Sequence, residues 1–141
     1  MFMNDLSIIV RHMRVFAERC MGDTGLGFPE QIVLMYLAGN DGSNQEQIVR
    51  FFELDKGAIA KTVAKLEAKG LVVSRINENN RREKTLSLTP EAQRILEHMR
   101  EALTIWQDRV FQGIDPESKR ITEESVARMA KNSHLMIEGK N

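Results

Sequence analysis

Between Asp55 and Lys69 the sequence reads Asp-Lys-Gly-Ala-Ile-Ala-Lys-Thr-Val-Ala-Lys-Leu-Glu-Ala-Lys. Ile59, Val63 and Leu66 recur at helical spacing and define an inner face. Lys56, Gly57, Ala58, Lys61, Thr62 and Lys65 are then expected nearer the outer face. Cations on a helix whose start is built from small residues can meet phosphates or purine edges at close backbone approach. A second basic group follows in Arg75, Arg81, Arg82 and Lys84, around the turn-forming Asn77-Glu78-Asn79-Asn80. From Asp55 to Lys84 eight cations face four anions, an excess of +4 in a chain whose formal net charge is +0. Positive charge concentrated in this way fits a phosphate-binding footprint, and equally a solvated face with scattered charge.

Other chemistries find little support. There is no nucleophile elbow, no phosphate-cradling loop and no HExxH helix, so no catalytic residues and no cofactor are expected. The glycines at 22, 25 and 27 lack the preceding strand of a nucleotide fingerprint. His12, His98 and His134 stand on three separate segments without ligand spacing, so no metal site is expected. Cys20 is the single cysteine, which excludes a disulfide within the chain. It shares an apolar stripe with Phe16 and Ala17 and reads as a buried structural residue. The eight methionines, with Met13 among them, could line a pocket together with Phe16, Tyr36 and Trp106. A hydrophobic or phenolic small molecule would suit such a pocket, and the same residues could as well fill a core.

The elements that must position these groups can be read along the chain. A length of 141 residues suggests one structural domain, and 42% apolar with 28% charged residues is globular composition. No signal peptide or run of apolar residues long enough for a membrane span is present, so a cytoplasmic protein without membrane contact is expected. Leu6, Ile9, Val10, Met13, Phe16, Ala17 and Cys20 predict a first amphipathic helix. Pro29 starts a second helix with Ile32, Val33, Tyr36 and Leu37 on one face. Ser43 with Glu46, or Asn44 with Gln47, has capping-box spacing for a third helix carrying Ile48, Val49 and Phe52. Asp55 caps the fourth and Gly70 closes it. Leu71–Ile76 and Lys84–Leu88 have strand composition and form a hairpin, with Asn80-Arg81-Arg82 at its tip. A fifth helix follows Thr89-Pro90, with Ile95, Leu96, Met99, Leu103, Trp106 and Val110 as its stripe. Asp115-Pro116 starts a sixth, with Ile121, Val126, Met129 and Met136.

Three short helices and a hairpin make a winged helix-turn-helix, mainly α (α+β), in which the fourth helix can enter a major groove about 12 Å wide. The run from Asp55 to Arg75, together with Asn80-Arg81-Arg82 and Leu88-Thr89-Pro90, resembles the recognition helix and wing of the MarR family. The resemblance extends over essentially the whole chain. It implies a transcriptional regulator, most often a repressor relieved by a small molecule. The implied form is a homodimer on pseudo-palindromic double-stranded DNA. Residues 28–89 would be the DNA-binding unit, and 1–27 with 90–141 the flanking dimerisation helices. Lys61 stands where the family often has arginine, and Arg82 at the wing arginine that enters the minor groove. Asn80 replaces the usual aspartate beside it, and Ala92 stands where glycine is common. DNA contacts are thus expected from Asn44, Gln45, Lys56, Gly57, Ala58, Lys61, Thr62, Lys65, Arg75, Asn80, Arg81, Arg82 and Lys84. An effector pocket is expected at Met13, Phe16 and Tyr36. A different use of the same fold would dock an acidic protein on the basic face without sequence-specific DNA binding.

Overall fold

The order of elements follows from local chemistry at their ends. In the computed structural model, which describes residues 1–139, helix α1 spans Phe2–Cys20 and α2 Phe28–Gly39. A short 3-10 turn at Gly22–Thr24 and Gly25, at φ 67°, separate them. Helix α3 spans Gln45–Phe52 and α4 Lys56–Ala68. Strand β1 covers Val72–Asn77, β2 Asn80–Leu88, helix α5 Pro90–Val110 and α6 Pro116–Ile137.

Of the two capping pairs, Asn44 with Gln47 forms the box at the start of α3: each side chain binds the other's backbone N–H at 2.8 Å. Ser43 is buried instead and donates to the Asn40 carbonyl. Asp55 caps α4 through the Ala58 N–H. Gly70, at φ 71°, ends that helix: its N–H reaches the Glu67 carbonyl and the Leu71 N–H the Leu66 carbonyl. That pair of bonds requires a left-handed residue, which only glycine adopts at no steric cost. The chain thereby turns at once into β1.

The antiparallel hairpin pairs Val72 with Leu88 through Ile76 with Lys84, and a register shift follows at Asn77. Strand β2 begins at Asn80, four residues earlier than expected, so the tip is Glu78-Asn79 and Asn80-Arg81-Arg82 lies on the strand. The turn at residues 40–42 leads into a bridge from Ser43 to Leu86, which ties the wing's base to the start of α3.

The chain divides into two compact units, Met1–Trp106 and Gln107–Asn141. In the first, Val33, Leu34, Leu37, Ile48, Ile59, Val63, Leu66, Leu71, Val72 and Leu86 form the core, with Ala92, Leu96 and Met99 of α5. Helix α2 is apolar on two sides: Val33 and Leu37 enter this core, whereas Ile32 and Met35 face a cavity beside α1. In the second unit Asp115 caps α6 and Lys119 lies over the Phe111 ring. No residue of α6 is buried.

Candidate nucleic-acid interface

Helix α4 splits into two halves with different duties. Ile59, Val63 and Leu66 seat it in the core. Lys56, Gly57, Ala58 and Lys61 are exposed. No hydrogen bond or ion pair engages the ammonium groups of Lys56 and Lys61 among the described residues. Gly57 has a local reason as well as an outward one: a Cβ there would stand 3.0 Å from the Asp55 carboxylate that caps the helix.

The second half is occupied inward. Thr62, expected outward, is 7% exposed, and its hydroxyl donates to the Ala58 carbonyl. It lies next to Val63 and one turn before Leu66, at the edge of the inner face, so it offers no side chain to a groove. The Lys65 ammonium sits 3.6 Å from Glu30, whose side chain is 8% exposed. A carboxylate that buried needs a partner, and Lys65 is it. Lys69 donates to the Gly25 and Thr24 carbonyls at 2.8 and 3.4 Å. Two of the four lysines thus fasten the end of α4 to neighbouring chain, Lys65 to the first turn of α2 and Lys69 to the segment before it.

The wing supplies the second cationic group. Arg75, Arg81, Arg82 and Lys84 are all exposed. The Asn80 side-chain Oδ1 accepts the Arg82 backbone N–H at 3.2 Å, so asparagine still shapes the backbone at the wing arginine. Asn77 does the same for the Asn79 N–H at 3.0 Å. Asn44 is not a free contact: its side chain caps α3 and donates to Glu83. Gln45 is half-buried and lines one cleft with Asn80, Arg82 and Lys84 and another with Lys56. Gln45 thus links the exposed Lys56 on one side with Arg82 and Lys84 of the wing on the other.

Two carboxylates with structural work here were not legible in sequence. Glu30 lies on the apolar α2, and Glu83 lies between Arg82 and Lys84. Both look like solvated charges in sequence, because Glu30 finds Lys65, 35 residues away, and Glu83 finds Asn44, 39 residues away.

An apolar cavity of about 180 Å³ lies among α1, α2 and α5, lined by Met13, Phe16, Cys20, Ile32, Met35 and Met99. Gln31 reaches it, but its amide nitrogen already donates to the Ala17 and Leu26 carbonyls. Tyr36, expected beside Phe16 and Met13, is elsewhere. It packs against Phe51, tilted, and Phe52, edge-on, at centroid distances of 4.8 and 5.8 Å. At about 100° per residue Tyr36 lies roughly a quarter turn beyond the face formed by Phe28, Ile32 and Met35. Cys20 lines the cavity and is only partly buried.

The same arrangement occurs in known proteins. The MarR family model matches residues 24–83. The crystal structure of MarR superposes with a TM-score of 0.88 at 26% identity, covering 100% of this chain and 95% of that one. A MarR-family transcriptional regulator of Listeria monocytogenes, solved with a 26mer DNA, gives a TM-score of 0.88 at 19% identity over 99% and 95% of the two chains. The HTH-type transcriptional regulator BilQ of Clostridioides difficile is 20% identical over 89% of this chain and 80% of its own. With the helix order, the capped α4 and the basic wing all in place, this chain has the winged helix-turn-helix fold of the MarR transcriptional regulators it resembles.

Proposed function

We propose that two copies of this chain bind pseudo-palindromic duplex DNA and act as a cytoplasmic repressor relieved by a small apolar or phenolic effector. The observation that carries the DNA reading is the division of labour on α4. Its end is anchored by Lys65 and Lys69, while its first half offers Lys56, Lys61 and two small residues, all exposed, as are the wing arginines. A rigidly held helix with an uncommitted cationic start suits a major groove, and Arg82 on the strand next to the tip suits the adjacent minor groove. The Listeria regulator of the same fold, solved with DNA, supports this use.

Dimerisation is supported by apolar side chains that one chain leaves in water. Helix α1 exposes Ile9, Val10 and Val15, and α6 exposes Ile121, Val126 and Met129. Residues 1–27 and 90–141 would form the joint between copies, and two α4 helices would then address sites about 34 Å apart. The cavity beside α2 supports an effector. Its wall includes Gln31, next in sequence to the Glu30 that holds Lys65, so a ligand there would bear on the segment that anchors α4. It could loosen DNA only by binding the released arrangement more tightly.

The test is fluorescence anisotropy of the protein on duplexes from its own upstream region, with a scrambled control, at several salt concentrations. Nanomolar binding to one duplex, with a steep salt slope and clear preference over the control, is expected. Equal, weak binding to every duplex would reject a sequence-specific regulator of this kind.

A further inference from the structure

Glu83 is an anion set among Arg81, Arg82 and Lys84, yet it makes no ion pair with any of them among the described residues. Its two oxygens are taken by neutral amides from two other elements. Oε1 accepts from Asn44 Nδ2 at 2.5 Å, and Oε2 accepts from Asn77 Nδ2 at 3.1 Å. Asn44 is the cap of α3, and Asn77 ends β1 where the register shifts. A carboxylate accepts only, so two amide donors satisfy it without competition, and its charge strengthens both bonds. Other ties between wing and helices lie nearer the base: the Ser43–Leu86 bridge and the Ser74 hydroxyl on Glu67 at 2.6 Å. Glu83 holds the wing to the helices at the level closest to the tip.

We propose that Glu83 is a positioning residue for DNA recognition, fixing where Arg81 and Arg82 stand relative to the start of α4. This rests on the DNA-binding reading above. A carboxylate beside the phosphate path weakens general attraction to DNA, so its contribution is to register rather than to affinity. Removing it has two opposed effects: binding to any duplex rises, while discrimination between duplexes falls.

Two variants separate the tether from its surroundings. Asn44→Ser keeps a good N-cap for α3 but has no donor that reaches Glu83. Glu83→Gln keeps the size but turns one acceptor into an amide that opposes its donor. The ratio of affinities for the preferred and the scrambled duplex is expected to fall about tenfold in each, the scale of a hydrogen bond to a charged group. The double variant falls no further, and all melt near the wild type. Glu83→Gln binds the scrambled duplex more tightly, and Asn44→Ser does not. An unchanged ratio, or two losses that add, overturns the proposal. Backbone ¹⁵N relaxation of the DNA-free protein gives an independent reading. Order parameters at residues 79–82 should drop from about 0.85 to below about 0.6 in both variants. Unchanged values overturn the tether, whereas a wild type without sequence preference rejects the DNA reading and leaves this measurement to decide the tether.

Discussion

Helices α2 and α6 are both written with apolar residues at helical spacing, and they end in opposite environments. Val33, Leu34 and Leu37 of α2 are sealed in the core. Ile121, Val126, Met129 and Met136 of α6 stay exposed. Helix α1 resembles α6, with no buried residue. Periodicity marks which face of a helix seeks a partner, but it does not say whether the partner is on the same chain. The middle of this molecule holds its own buried core, while its end helices carry apolar surface that a second copy could cover.

Substitutions in the two regions should therefore be read by different instruments. Leu66→Ala empties a position with 0% exposure and should cost about 2–5 kcal/mol in denaturant unfolding, whatever the protein concentration. Val126→Glu with Met129→Glu, neighbours on one face of α6, should instead shift sedimentation equilibrium to monomer. The same pair should abolish the rise of melting temperature with concentration expected of the wild type. A wild type that sediments as a monomer at micromolar concentration would break the comparison.

The two halves of α4 repeat the contrast on a smaller scale. Arg82→Ala should cost DNA binding about 1–3 kcal/mol, and Lys61→Ala should weaken binding to all duplexes and lower the salt slope by about one. Unchanged affinity in Arg82→Ala would remove the wing from the mechanism. Lys65→Ala should act on folding: it leaves Glu30 buried without its cation and should cost about 1–2 kcal/mol, tempered by the half-exposed lysine. If Lys65→Ala lowers the salt slope as Lys61→Ala does, the proposed division of α4 fails.

The smallest effect is expected at the start of α6. The Ser118 hydroxyl and backbone amides hold the Asp115 carboxyl below the usual aspartate range. A depressed carboxyl stabilises the folded state above its unfolded value, and the contribution is lost as pH falls through the folded one. Helical circular dichroism should thus decline slightly below about pH 4, and Asp115→Ala should remove that component. An unchanged acid profile in the variant would assign the decline to other carboxylates.

Much of the wing and of α4 was legible in sequence because it rests on short-range rules. Asp55 capping α4, Gly70 ending it, and Asp115-Pro116 starting α6 all act within five residues. The errors fell where a choice depended on packing. Thr62 has the composition of an outward residue but lies at the edge of the buried face. Tyr36 matches the Phe16 pocket in kind, yet α3 offers it Phe51 and Phe52 instead. The strand β2 extends to Asn80 because β1 pairs with it, a gain invisible in the polar composition of residues 80–84.

By itself the sequence determined the helix spacing, the caps, the hairpin and the local excess of positive charge, since each follows from propensities and bonds within a turn or two. The tertiary structure alone decided which cations are committed and which are available. Lys65 finds Glu30, Lys69 finds Gly25, and Glu83 finds Asn44, because folding brings residues 35 to 44 positions apart within hydrogen-bonding or ion-pairing distance. Charge at a distance in sequence has no preferred partner until the core sets the elements beside one another.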